Sequence, residues 1–140
     1  GEVVFYRTPT RRHTASSALD IHGLTALPRV DIVYAYGGSD SLLVDAVRQN
    51  RSDGLVMAGF GSGLFPPDML NSGAKAVKEG IHVALASRST AGRIIRTPRT
   101  DKLGFIVSDN LHPQKARILL MIGLTSSSNR KDLQQMFLEY

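Results

Sequence analysis

The chain has 140 residues, of which 42% are hydrophobic and 21% charged, with no Cys and a formal net charge of +5. That suits one globular domain, which buries roughly 70% of the surface its unfolded chain would expose. Disulfides, thiolate zinc sites and a Cys nucleophile are excluded, and no apolar run reaches the ~20 residues that cross a bilayer.

Residues 3–6 (VVFY) read as a short strand. From Arg7 to Pro28 the chain is polar and aperiodic, punctuated by Pro9, Gly23 and Pro28, which reads as a linker. The pattern changes at Arg29. RVDIVYAY (29–36), GLVMAG (54–59), HVALAS (82–87) and FIVS (105–108) are short apolar runs rich in Val and Ile. Such runs suit strands covered on both faces, as in a parallel sheet.

Helical spacing fills the gaps. Residues 40–50 place Leu43, Ala46 and Val47 on one side, with Ser39 offered as N-cap. Residues 66–78 group Leu70, Gly73, Ala74 and Val77; Pro66 or Pro67 suits the first turn, and Gly80 can take a left-handed C-terminal position. Residues 113–124 are apolar nearly all round, which predicts burial on more than one side. Residues 130–140 align Leu133, Met136, Phe137 and Tyr140, with Asn129 as N-cap and Asp132 in the first turn. The order β-α-β-α-β-loop-β-α-α predicts a three-layer α/β/α domain around a parallel sheet of about four strands.

MAGFGSGLFPPDML (57–70) has the strand, glycine-bend and helix order of a phosphate loop. A dinucleotide fingerprint fails here: the glycines are Gly59, Gly61 and Gly63, the last fingerprint position is Leu64, and no acid closes the next strand. The Lys of a Walker loop is also missing. A tight turn explains one or two glycines, whereas three ahead of a double proline suggest a backbone that projects or approaches another surface closely.

The four His are too dispersed for a metal site, so no metal and no cofactor is expected. His82 and His112 read as structural. SDNLH (108–112) holds Ser, Asp and His too close in sequence for a triad, so Asp109 or Asn110 reads as a cap for the helix at 113. The basic clusters, Arg7, Arg11, Arg12 and His13, then Arg88, Arg93, Arg96, Arg99 and Lys102, carry no aromatic interleaving apart from Tyr6. They read as solvated loops and subunit contacts, with neither nucleic acid nor membrane as partner.

Three stretches, RTPTRRHT (7–14), LPRVDIVYAY (27–36) and LHPQKARILLMIGLT (111–125), closely resemble the carboxyl-terminal part of bacterial type II L-asparaginases and glutaminase-asparaginases. AGFGSG (58–63) and QQMFLEY (134–140) fall in the corresponding order, so the resemblance covers essentially the whole chain. It implies a Rossmann-like carboxyl-terminal domain at 29–140, preceded at 1–28 by a remnant of the upstream domain plus linker. The implied reaction is hydrolysis of asparagine, and often glutamine, to the acid and ammonia. The nucleophilic Thr belongs to the amino-terminal domain, whose motifs are missing here, so no catalytic residue is expected in this chain and it should be inactive alone.

The resemblance further implies a homo-oligomer, dimer or tetramer, in which this domain edges a neighbour's active site. The glycine loop would do so through Gly61, Ser62, Gly63 and Leu64. The loop after the third strand, STAGRIIRTPRTDK (89–102), carries the single acid Asp101 where the family brings an acid to the substrate amino group. The type II likeness favours the periplasm. Gly1-Glu2-Val3-Val4 opens without Met, as expected of a processed chain or fragment. The competing reading is a stand-alone α/β module that binds an anionic ligand or a protein partner.

Overall fold

The computed structural model describes residues 3, 4, 8 and 10–140. Four strands, β1 (Val30–Tyr34), β2 (Gly54–Gly59), β3 (His82–Ser87) and β4 (Ile106–Val107), form one sheet in the order β1-β2-β3-β4, every pair parallel. Five helices accompany them: α1 (Leu42–Gln49), α2 (Pro67–Lys78), α3 (Pro98–Lys102), α4 (Pro113–Ser126) and α5 (Arg130–Glu139). Helices α1 and α2 cover one face, and α4 and α5 the other. This is the expected three-layer α/β/α fold.

Alternation along the strands builds two cores. Val33, Leu55, Met57, Val83, Leu85 and Val107 point toward α1 and α2, where Val44, Met69, Ala76 and Phe105 join them. Val30, Val56, Ala84, Ala86 and Ile106 point the other way, onto Ala116, Leu119, Leu120, Leu133 and Phe137. Because both faces are covered, the strands carry no polar stripe. That explains why they read as continuous apolar runs. The two faces differ in bulk: small side chains under α4 let Leu120 Cδ2 come within 3.0 Å of where a β-carbon on Gly54 would stand.

Several local details differ from the sequence expectations. Ser41, not Ser39, precedes α1; Ser39 is buried and its hydroxyl accepts the Tyr36 N–H at 3.3 Å, closing the turn. The inward face of α1 is also rotated. Val44 is buried while Leu43 and Ala46 are exposed. The cause is polar: Asp45 accepts the Ser72 hydroxyl of α2 at 2.6 Å, and Arg48 reaches Glu79, so this side of α1 turns toward α2. In α2 the fully buried set is Met69, Ser72, Gly73 and Ala76, with Leu70, Ala74 and Val77 half-buried. Pro67 opens α2, and Gly80 takes φ +91 after its last turn, as expected.

Helix α4 runs two residues past the expected end and packs on the sheet and on α5, though Ile118 faces outward. The Asn129 side chain accepts the Lys131 N–H at 2.8 Å, which confirms the α5 cap. Gln134, unanticipated, is buried in α5. Its amide accepts from Val107 N–H at 2.9 Å and donates to Val107 C=O at 3.2 Å, pairing the helix with the backbone of the two-residue strand β4. Residues 98–102, expected as loop, form α3 behind Thr97, whose hydroxyl accepts the Thr100 N–H at 3.1 Å. Of the strand expected at 3–6, Val3 and Val4 are exposed and in no strand, and residues 5 and 6 lie outside the described residues.

His82, at the start of β3, is half-buried; burial lowers its pKa below the ordinary 6.5 against the pull of Asp53. The unfolded chain therefore takes up this proton first, and stability falls as the pH drops below about 6.5 toward the depressed native value. In His82→Gln that component of the pH–stability curve is absent. Urea titrations at pH 7.5 and 5.5 measure it.

Candidate functional site: the glycine loop and its neighbours

The carboxyl ends of parallel strands are where α/β folds place their binding loops. Here the loop after β2 is a tight hairpin. Phe60 N–H donates to Leu64 C=O at 2.9 Å, while Gly63 and Leu64 N–H both donate to Phe60 C=O, at 3.0 and 2.9 Å. Gly61 at φ +49 and Gly63 at φ +105 supply the left-handed bends that a five-residue reversal needs. Gly61 and Ser62 stand exposed at the tip, and Leu64 is 71% exposed. The structure therefore brings all four sequence-predicted site residues together on one projecting loop.

Two neighbours clamp this hairpin. Ser87, at the end of β3, donates its hydroxyl to Gly61 C=O at 2.6 Å and accepts the Ser89 N–H at 3.1 Å. Gly92 is pressed against the same spot: a β-carbon there would lie 1.8 Å from Ser87 Oγ and 2.6 Å from Gly61 O. Arg88, expected in a solvated cluster, is exposed but also tied down. Its guanidinium lies over the Phe60 ring, 5.1 Å from the centroid, and donates to Ala35 C=O. Gly92, Ser87 and Arg88 carried no motif in the sequence, since their roles depend on a neighbouring loop.

The two acids of this edge, Asp101 and Asp109, are each held by two arginines. Asp101 is held by Arg96 at 2.9 Å and Arg130 at 3.6 Å, and the hydrogen bond from Arg96 lowers its carboxyl pKa. Asp109 is not a helix cap. His112 occupies that position without a side-chain bond, whereas the buried Asp109 carboxylate accepts from both Arg11 and Arg93. Ser108 donates to Leu111 C=O at 3.2 Å, so the Ser, Asp and His of 108–112 do not form a catalytic relay. His13 Nδ1 and Thr14 Oγ1 meet at 3.2 Å, but on an exposed turn where, among the described residues, no third group orients the ring. Among the described residues no cluster of His, Asp or Glu could hold a metal.

The arrangement can offer backbone carbonyls, one free-standing hydroxyl and an apolar tip to a molecule outside the chain. Among the described residues of this edge, no nucleophile is paired with an oriented base.

Residues 29–137 match the glutaminase/asparaginase C-terminal domain family. The chain belongs to that family. It is 37% identical to L-asparaginase 2 of Escherichia coli (strain K12) over 142 residues, covering all of this chain and 41% of that protein. It is 35% identical to the glutaminase-asparaginase of Pseudomonas fluorescens biotype A, covering all of this chain and 40% of the relative. The crystal structure of a probable cytoplasmic L-asparaginase from Campylobacter jejuni superimposes with a TM-score of 0.92 at 37% identity, over 99% of this chain and 46% of that one. This asparaginase-type domain thus spans about two fifths of the length of the curated relatives it matches.

Proposed function

We propose that this domain is the carboxyl-terminal part of an amidohydrolase that converts L-asparagine and water to L-aspartate and ammonia, with glutamine as a second substrate. In this reading it supplies subunit contacts and the edge of a neighbouring subunit's active site, while the nucleophilic Thr resides in an amino-terminal domain. The family match over 29–137 carries the reading, and the projecting glycine loop supports it. In this reading the chain alone hydrolyses nothing, and the lack, among the described residues, of a hydroxyl paired with an oriented base supports it. A homo-oligomer, dimer or tetramer, follows from the need for a neighbour's site. The type II likeness favours the periplasm, while the solved relative is described as a probable cytoplasmic enzyme; fractionation of the native host decides between them.

The test is ammonia release from asparagine and glutamine, by the chain alone and mixed with a separately prepared amino-terminal half. Activity only in the mixture is the expected result. Silence in both would favour a stand-alone binding module. Within an active mixture, Gly63→Val lowers turnover by about tenfold or more, because φ +105 excludes a β-branched residue and its β-carbon would press on Ile94. Ser62→Ala tests the hydroxyl alone. Unchanged hydrolysis in both variants would remove the loop from the site.

A further inference from the structure

We infer that Asp109 is a positioning residue that couples residues 10–18, ahead of the sheet, to the loops at its carboxyl edge. Its side chain is 7% exposed, and each carboxylate oxygen serves a different segment: Oδ2 accepts from Arg11, and Oδ1 from Arg93 in the loop after β3. Its backbone carbonyl accepts the Ile94 N–H at 2.9 Å, fixing the same loop a second time. Asp109 sits at φ +53, a left-handed conformation that aspartate tolerates better than most residues with a β-carbon.

The linkage extends to both sides. Arg11 also donates to Phe137 C=O at 2.9 Å, and Arg12 N–H donates to Glu139 C=O at 2.9 Å, so residues 11 and 12 are strapped to α5. Ile94, 2% exposed, lies under the glycine hairpin, its Cδ1 3.1 Å from where a β-carbon on Gly63 would stand. An unbroken series of contacts therefore runs from Arg11 through Asp109 and Ile94 to Gly63. A buried carboxylate that loses one of two cationic partners is held less firmly and draws water in, which loosens its grip on the remaining arm, so the two arms are energetically coupled. The functional meaning rests on the reading of the hairpin as a site edge; the coupling itself does not.

Amide hydrogen exchange on the 140-residue chain tests it without reference to activity. Arg11→Met leaves the Asp109–Arg93 pair in place and avoids an unpaired buried carboxylate. Exchange is expected to rise about tenfold at residues 60–64 and 89–97, remote from position 11 in sequence, with 54–58 and 83–86 unchanged. Arg11→Lys, which keeps a cation, recovers a large part of the protection. Arg93→Met gives the reciprocal rise at residues 10–18. A response to Arg11→Met confined to residues 10–18 overturns the proposal, as does an even rise through 54–58 and 83–86, which would mark general loosening. Failure of the hydrolysis assay with normal coupling would count against the amidohydrolase reading alone.

Discussion

Replacing Phe137 by Ala lowers the free energy of unfolding by about 3–5 kcal/mol. The ring is 1% exposed and packs in the cluster that joins α5 to α4 and the even-numbered side of the sheet. Its loss removes buried apolar surface and leaves a cavity that the rigid sheet cannot close. The helix also carries Gln134, the partner of the Val107 backbone, and the carbonyl that receives Arg11. Loosening α5 therefore exposes both the short strand and the upstream strap. Against a total stability of roughly 5–15 kcal/mol for a domain of this size, the variant stands near its unfolding threshold. Urea denaturation with an unchanged m-value reads this directly. Leu138→Ala, at a neighbouring position 48% exposed, is the control and shifts stability by no more than about 0.5 kcal/mol. A loss under 1 kcal/mol for Phe137→Ala would mean that α5 is not docked as described.

Gly92→Ala separates function from stability. A single added methyl group would overlap Ser87 Oγ and crowd the Gly61 carbonyl, so the hydrogen bond between those two groups breaks and the hairpin moves outward. The adjustment lies in surface loops, and the expected cost in stability is about 1–3 kcal/mol. Under the amidohydrolase reading, however, displacement of a site edge by about 1 Å lowers turnover by about 10²-fold in the complemented enzyme. Ammonia release and thermal melting, measured on the same samples, separate the two effects. Gly37→Ala is the matched control: it sits in the loop after β1 with open space around it, and leaves both readings unchanged. Equal activity of the two variants would show that the clamp on Gly61 has no bearing on hydrolysis.

The extents of β2 and β3 were legible to the residue, because strands covered on both faces announce themselves as unbroken apolar runs flanked by polar turns. The cap at Asn129 and the left-handed Gly80 were legible for local reasons, since each is decided within one turn of chain. The failures are tertiary. The face of α1 was misread because Asp45 and Arg48, polar residues that periodicity assigns to solvent, are drawn inward by Ser72 and Glu79. Helix α3 is too short for any period to register. Asp109 next to a Pro-led helix looked like a cap, and the two arginines that claim it come from 98 and 16 residues away. The hairpin itself was visible in its glycines. What clamps it, Ser87 and Gly92, was not, because a lone serine and a lone glycine mean nothing until two loops are brought side by side.

The uneven bulk of the two sheet faces has a consequence for how this domain can diverge. Toward α1 and α2 the strands present Leu55, Met57, Leu85 and their neighbours, long side chains with rotamers to spare, and a change in one can be absorbed by another. Toward α4 they present, beside Val30, Val56 and Ile106, the small Ala84 and Ala86 and the bare backbone of Gly54, and these three have nothing to yield. Lineages are free to rewrite the first face by exchanging one large side chain for another. On the second, positions 54, 84 and 86 can only keep what is small, so ancestry should be written most durably at those three points beneath α4.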